Sequence, residues 1–589
     1  MSHLNLGIIG NSTIAALIDT DARINWLCLP KLDGNPIFDA LLGGEGSFGV
    51  WIEGRVSTKQ SYDTNTAILR TRLTASDGAI LEVIDFAPYF SSRGRSFQPA
   101  GFVRQIKVIS GAPRIRIEIK AQAEWGEKAI KPLRGIHHLS YPTEDGGFRI
   151  TTNAPVSYIL SGTTFVLDKD ISFICGPDET VSENVEFLAR DWRERTTDFW
   201  RRWTRSLTVP PDWQAAVIRA AITLKLCVYE ETGGVVAALT TSVPEHAGSE
   251  RNWDYRFCWI RDAYFSVTAL NRLASMETLE HYMRFLRSVV AQAKGGHIQP
   301  VYGIGLETDL TEKVADNLPG YRGYGPVRKG NQAAEHIQHD VYGQIILAAA
   351  QAFLDDRLLS KPGIAEFEQL EPVGERAFAV HDTPDAGIWE FRTLSYVHTS
   401  SAIMCWAACD RLSKIADHLK IKKKVIYWSE RAEIIKQHIL TNAFNTKINA
   451  FSAYYGGDTL DASVLLMAEI GFLPANDARY IGTVEAIDRD LREGNHIYRY
   501  KTKDDFGRPE TAFTACTFWH IDALYRIGRE DEARQMFEAI LEQRNHVGLL
   551  SEDVDPKTSE LWGNFPQTYS MVGIINSANL MSRKWTDIL

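Results

Sequence analysis

Val425-Ile426-Tyr427-Trp428-Ser429-Glu430-Arg431-Ala432-Glu433-Ile434-Ile435-Lys436-Gln437-His438-Ile439 decides how the larger part of this chain folds. Val425, Trp428, Ala432, Ile435 and Ile439 recur at three and four residues, which aligns them on one face of an α-helix. Arg114-Ile115-Arg116-Ile117-Glu118-Ile119-Lys120 repeats every second residue instead. Its isoleucines alternate with charged side chains, the pattern of a half-buried strand with one wet face. The two periods occupy different parts of the chain.

Outward from Arg114, residues 1 to about 185 read as β. Ile68–Leu73 and Ile80–Phe86 flank Ser76-Asp77-Gly78, a hairpin signal, and Gly146-Gly147 separates two further strand-like runs. Many short strands with turn signals predict an antiparallel β-sandwich. Residues 186–211 predict a charged, Trp-rich linker helix closing on Pro210-Pro211. From Asp212 the period is helical. Ala533, Met536, Phe537, Ile540 and Leu541 form a second apolar stripe, and Gly528 stands where a helix C-terminal glycine belongs. Helices are predicted to start near residues 212, 260, 277, 332, 364, 397, 424, 458, 474, 511, 529 and 566. Twelve helices suit six helical hairpins closed into an all-α (α/α)6 barrel over 212–589, and no repeating sequence period supports a solenoid. The expected architecture is therefore multidomain, a sandwich over 1–185 followed by the barrel. Residues 295–331 form the longest irregular stretch. With Gly456-Gly457, Lys501–Pro509 and His546–Pro566, it predicts a binding rim.

The chain has 589 residues, 44% of them hydrophobic and 23% charged, a globular composition too long for one ordinary core. A formal net charge of −10 argues against a nucleic-acid partner. No uninterrupted apolar run is long enough to span a bilayer, so no membrane association is expected. No secretory signal is visible, and the seven cysteines are scattered without a CxxC pair. Both features predict a cytoplasmic protein with reduced thiols. Nothing in the sequence fixes the oligomeric state.

Hydrolysing a glycosidic bond with inversion requires two carboxyl groups. One protonates the leaving oxygen and the other takes a proton from water on the opposite face. With 74 acidic residues, chemistry alone does not select the pair. Five motifs in order do. Arg251-Asn252-Trp253-Asp254-Tyr255-Arg256-Phe257-Cys258-Trp259-Ile260-Arg261-Asp262-Ala263 closely resembles a signature of glycoside hydrolase family 15. Ile9-Gly10-Asn11 with Ile24-Asn25-Trp26-Leu27-Cys28 and Phe38 resembles the family's N-terminal stretch. Gly320-Tyr321-Arg322-Gly323 and Pro326-Val327-Arg328 with Gly330-Asn331 resemble its central loop. Gly387-Ile388-Trp389-Glu390 is similar to its acid-bearing loop. Gly548-Leu549-Leu550-Ser551-Glu552 with Gly563-Asn564-Phe565-Pro566-Gln567 is similar to the base-bearing one. The family holds glucoamylases, glucodextranases and bacterial or archaeal trehalases, and its sandwich-plus-barrel architecture agrees with the period reading.

The resemblance implies Glu390 as general acid and Glu552 as general base in a polar, solvated setting, with Asp553 and Asp555 as the base's competitors. It implies that Arg261 and Asp262 grip the non-reducing glucose, with Tyr255 near the acid. Trp253, Trp259 and Trp389 are candidates for sugar stacking or core. Tyr302, Arg322 and Arg328 are expected rim contacts, and Arg508 a further sugar contact. Where fungal members place a second acid, Phe391 stands. The implied activity is inverting, exo-acting hydrolysis of a small α-linked glucoside, glucoamylase-like or α,α-trehalase, with no cofactor and no metal. The alternatives are an inverting phosphorylase, which does not need Glu552, and a non-catalytic sugar sensor. Cys405 and Cys409 share a stripe with Ala402, Trp406, Leu412, Ala416 and Leu419 and are expected in the core. His336, His339 and Asp340 are a weaker candidate for metal, without a completing ligand.

Overall fold

Alternation along the first strands puts one set of side chains inside and the other in water. In Arg114–Ala123, Ile115 and Ile117 are buried while Arg114 and Arg116 are exposed. The computed structural model describes residues 3–143, 146–293, 295–358 and 360–589. Its strands from Leu6 to Pro177 form two eight-stranded antiparallel sheets and a separate hairpin, Phe90–Ser92 with Arg95–Phe97. One runs in the order Leu6–Gly10, Ala15–Asp19, Ile24–Leu29, Ser47–Ile52, Arg114–Ala123 and Lys128–Ile130. Asn35–Phe38 pairs off it at Ile24–Leu29, and Phe165–Val166 at Arg114–Ala123. The other centres on Ile171–Pro177, Phe102–Ser110, Ile80–Phe86 and Leu69–Ala75. Their inner faces share one core, in which the Phe48 ring of the first sheet meets Phe102 and Phe173 of the second at 6.3 and 5.2 Å. The hairpin at Ser76-Asp77-Gly78 joins Leu69–Ala75 to Ile80–Phe86, with Gly78 at φ +86°.

Val185–Ser206 is a 22-residue helix capped by Asn184, whose side chain accepts from the Phe187 N–H at 3.0 Å. It lies against Phe90–Ser92 and Ile171–Pro177, with Trp200 fully buried, so the segment expected as a linker is a packed element.

The remaining helical segments divide into two kinds. Asp340–Leu354, Thr399–His418, Thr514–Arg526 and Thr568–Met581 are buried nearly all round, as helices enclosed by other helices must be. Met276–Ala293, Lys422–Asn442 and Glu530–Glu542 bury a single stripe; in the second of these it is Trp428, Ala432, Ile435 and Ile439. Contacts follow a cycle: Ile260–Arg272 touches Asp340–Leu354, which touches Thr399–His418, then Ala462–Leu466, Thr514–Arg526 and Thr568–Met581, which returns to Ile260–Arg272.

Two predicted helices depart most from what is found, and the one expected near 474 begins at Ala478. The helix expected near 332 begins at Asp340. Asn331 caps only a 3₁₀ turn over Gln332–Glu335, and His336 then leaves with extended backbone. The segment expected near 458 is a 3₁₀ turn, Ala462–Leu466, continued by the four-residue helix Met467–Ile470, where Gly471 at φ +85° ends it. All seven cysteines are free and buried, Cys405 and Cys409 within the helical core. No described helix is long and apolar enough to cross a membrane.

Candidate active site

The cyclic packing gathers helix starts at one end. Arg261 and Asp262 occupy the first turn of Ile260–Arg272, Asp340 opens the next buried helix, and Glu390 precedes Thr399–His418. Asp461 caps Ala462–Leu466, Phe513 precedes Thr514–Arg526, and Glu552 and Gln567 precede Thr568–Met581. The unpaired N–H groups and the positive ends of the helix dipoles favour carboxylates there. A cavity at this end is lined by Trp253, Tyr255, Trp259, Arg261, Asp262, Trp389 and Glu390.

Glu390 sits in a left-handed backbone conformation, φ +62°, which is unusual outside glycine and typical of functional turns. Its Oε1 accepts from Trp259 Nε1 at 2.6 Å, Arg261 Nη2 at 3.2 Å and Gln338 Nε2 at 3.2 Å. All the bonds the carboxyl makes to described residues fall on this oxygen. Oε2 is left as the atom able to carry a transferable proton.

Glu552 is fully buried, not solvated as expected. Its Oε1 accepts from the Tyr255 hydroxyl at 2.7 Å and its Oε2 from the Asn564 N–H at 3.1 Å. Burial and the neighbouring Glu245 carboxylate hold it well above the usual glutamate range. Gly563, at φ +74°, packs on it so closely that a Cβ there would lie 2.6 Å from the Glu552 Cβ. Tyr255 therefore bonds to Glu552 directly and faces Glu390 across Trp259. Its ring meets Trp259 edge-on at 5.3 Å, so the two carboxylates hang from opposite partners of one aromatic pair. Asp553, the nearest competitor, is buried like Glu552 and accepts from Thr511 Oγ1 at 3.1 Å; neither is among the described residues that line the cavity. Asp555 caps its own loop by accepting from the Lys557 N–H.

Among the described residues Asp262 makes no hydrogen bond to another side chain, and Arg261 Nε stands 3.9 Å from its Oδ2. Burial pushes it up to about 7, against the pull of Arg261. Arg261 is anchored by Gln338 at 2.9 Å and Asp340 at 3.2 Å. Trp389 lines the cavity and donates its Nε1 to Asp461 at 2.7 Å, which fixes the plane of the ring next to the acid. Trp253 also lines it, packed edge-on against Phe506 at 5.1 Å.

Four expected contacts lie elsewhere. Tyr302 is a buried core residue whose hydroxyl accepts from the Gln299 N–H at 3.1 Å. Arg322 pairs with Glu560 at 2.7 Å over the Trp562 ring, and Arg508 is exposed on its loop. Arg328 stands one layer back, on Glu312 at 2.9 Å and over Trp253. Arg322 and Arg328 are thus each taken up by a partly buried carboxylate of a neighbouring loop. His339 is bound by Thr383 and its N–H by Asp385, and no metal-sized cluster among the described residues includes it or His336. Conversely, Glu245, Arg251, Arg392, Arg499 and Tyr569 line the cavity without having been singled out. Arg251 lay within the quoted signature, and Glu245 six residues before it. Only the fold shows that Glu245 meets Arg499 and stands beside Glu552 and Asp553.

The model for "Glycosyl hydrolases family 15" matches residues 212–579, and that for "Trehalase-like, N-terminal" matches residues 4–174. A trehalase of Thermoplasma volcanium is 31% identical over 97% of this chain and 92% of its own length. One of Mycolicibacterium smegmatis is 30% identical over 97% and 90%. Among solved structures, a bacterial glucoamylase complexed with acarbose shares the fold at a TM-score of 0.69, with 12% identity over 98% of this chain and 94% of that one. The protein is a glycoside hydrolase. It belongs to glycosyl hydrolase family 15, and its likeness to trehalases runs along the whole chain.

Proposed function

We propose that this protein is an inverting hydrolase of small α-glucosides, with α,α-trehalose as its foremost substrate. The observation that carries the reading is the pair of loop-borne carboxylates, Glu390 and Glu552, set at opposite ends of the Tyr255–Trp259 pair, whose rings line the cavity together with Glu390 and Asp262. The relatives named trehalase, alike over nearly the full length, favour the α,α-linkage.

In this reading Asp262 accepts bonds from the hydroxyls of the non-reducing glucose, while Arg261 offers its planar fork. Glu390, its Oε1 saturated by three donors, delivers a proton from Oε2 to the glycosidic oxygen. Glu552 takes a proton from the water that attacks the anomeric carbon. Among the described residues each of its oxygens has one donor, which leaves lone pairs for that water. Its raised proton affinity makes it the stronger base. The scaffold we propose is a β-sandwich over 1–185, the helix of 186–211 packed against it, and a closed (α/α)6 barrel over 212–589. The cyclic order of helix contacts supports that closure.

A purified-enzyme screen for glucose release over trehalose, maltose, isomaltose, nigerose, kojibiose, maltotriose and starch tests this. Trehalose is expected to give the highest kcat/KM without added phosphate. Absence of glucose from every α-glucoside would overturn the proposal.

A further inference from the structure

Two residues after Glu390 stands a second charged side chain of the same loop. Arg392 lines the cavity and is fixed from several directions. Its backbone N–H donates to Asp505 Oδ2 at 2.7 Å, and the next N–H, of Thr393, to Oδ1 at 3.2 Å. Its Nη2 donates to both oxygens of Glu312, at 3.1 and 2.8 Å. The guanidinium lies over the rings of Trp253 and Phe506, 4.7 and 5.4 Å from their centroids. All the hydrogen bonds of its guanidinium to described residues pass through Nη2, so Nε and Nη1 keep donors for something else. An arginine held this firmly with donors to spare is preorganised for a polar ligand.

The depth of the cavity says which ligand. Arg261 and Asp262 are each 6% exposed and form its closed end, while Arg392, Asp505 and Phe506 are half-buried at its mouth. Glu390 lies between them, bonded to Arg261 on the inner side and sharing its loop with Arg392 on the outer. A glucose seated on Arg261 and Asp262 brings its glycosidic oxygen to Glu390. Whatever is attached beyond that oxygen then faces Arg392. We infer that Arg392 is a specificity-determining residue that donates hydrogen bonds to hydroxyls of the leaving sugar, selecting a second polyol ring over an apolar aglycone. This rests on the α-glucosidase reading above.

α-Glucosyl fluoride has the first sugar and no second one, so it separates the two ends of the site. The ratio of kcat/KM for trehalose to kcat/KM for α-glucosyl fluoride is measured for the wild type, Arg392→Ala and Arg392→Lys. The ratio does not depend on how much of a preparation is folded, and the lysine variant supplies it if the alanine variant does not fold. Arg392→Ala is expected to lower it roughly ten- to a hundredfold, the worth of hydrogen bonds from a charged donor. Arg392→Lys, with charge but no fork, should fall between. A ratio within about twofold of wild type in the variants would overturn the assignment, because Arg392 would then act on the first sugar or on folding alone. Wild-type enzyme inactive on both substrates would instead overturn the α-glucosidase reading, and this inference with it.

Discussion

Glu390 and Glu552 differ in how their oxygens are engaged, and that difference fits the separate roles proposed for them. Glu390 spends one oxygen on three donors and keeps the other, whereas Glu552 accepts one bond on each. Glu390→Gln and Glu552→Gln should each lower kcat on trehalose by about two or more orders of magnitude in a folded protein. Glu390→Gln should regain part of its rate on substrates with good leaving groups, which need little protonation. Near-wild-type turnover in either variant would remove that residue from the mechanism. The surroundings of Glu552 add a pH prediction. It faces Glu245 and Asp553, which disfavour its ionised form, and Tyr255 and Arg499, which favour it. A base held above its ordinary range is fully ionised only at higher pH, so the rising limb of kcat/KM against pH lies above the usual glutamate range. Glu245→Gln removes one negative neighbour, lowers the proton affinity of Glu552 and moves that limb to lower pH. A limb unmoved by the change would show that Glu245 does not act on the base. The two carboxylates and the Arg261–Asp262 pair were legible because motifs carry them. Glu245, Arg392 and Arg499 were not, since an acid or arginine in a loop shows its use only when the fold supplies its partner. Tyr302 was misplaced for the same reason: an aromatic residue in a long loop reads as rim until a strand pairing puts it in the core.

At the scale of elements, the loop that bears Glu552 depends on Gly563. Its left-handed backbone and its contact with Glu552 leave no room for a side chain. Gly563→Ala should displace the carboxylate and cut kcat by roughly ten- to a hundredfold, as misplacement of a catalytic group does. Steady-state kinetics with a parallel melting curve would check this, and unchanged kcat would contradict it. In the sheets, Arg104 and Asp85 form a fully buried pair with bonds of 2.7 and 3.0 Å, and Arg104 also donates to the Phe48 carbonyl. Removing one partner strands a charge, so Asp85→Ala should cost about 3–5 kcal/mol of stability, read by chemical denaturation. Helix positions were largely legible because apolar stripes at three and four survive any tertiary context. The shifted start at Asp340 and the 3₁₀ turn at Ala462 were not, because local caps at Asn331 and Asp461 set them.

Across the whole molecule, the sheets and helices are not independent. Trp26 Nε1 donates to the Leu239 carbonyl at 2.9 Å, and Asn545 donates to the carbonyls of Leu4 and Leu6. Arg256, inside the signature segment, reaches the Gly34 carbonyl and lies over Trp125. The β region thus buttresses the loop that carries Tyr255 and Trp259. The helical part expressed without residues 1–183 should lose most trehalose hydrolysis, and full activity from that fragment would contradict the buttressing role.

Inversion, as proposed, places an acid and a base on opposite faces of one sugar. It requires the Glu390 and Glu552 carboxyl groups to stand roughly 6.5–9.5 Å apart, not the roughly 5–5.5 Å of a retaining pair. Proton NMR in the first minutes of trehalose hydrolysis, before mutarotation, tests it directly. Inversion at one anomeric carbon predicts β-glucose and α-glucose in equal amounts, the α-anomer being the released leaving sugar. α-Glucose alone would mean retention and would contradict the role of Glu552 as general base.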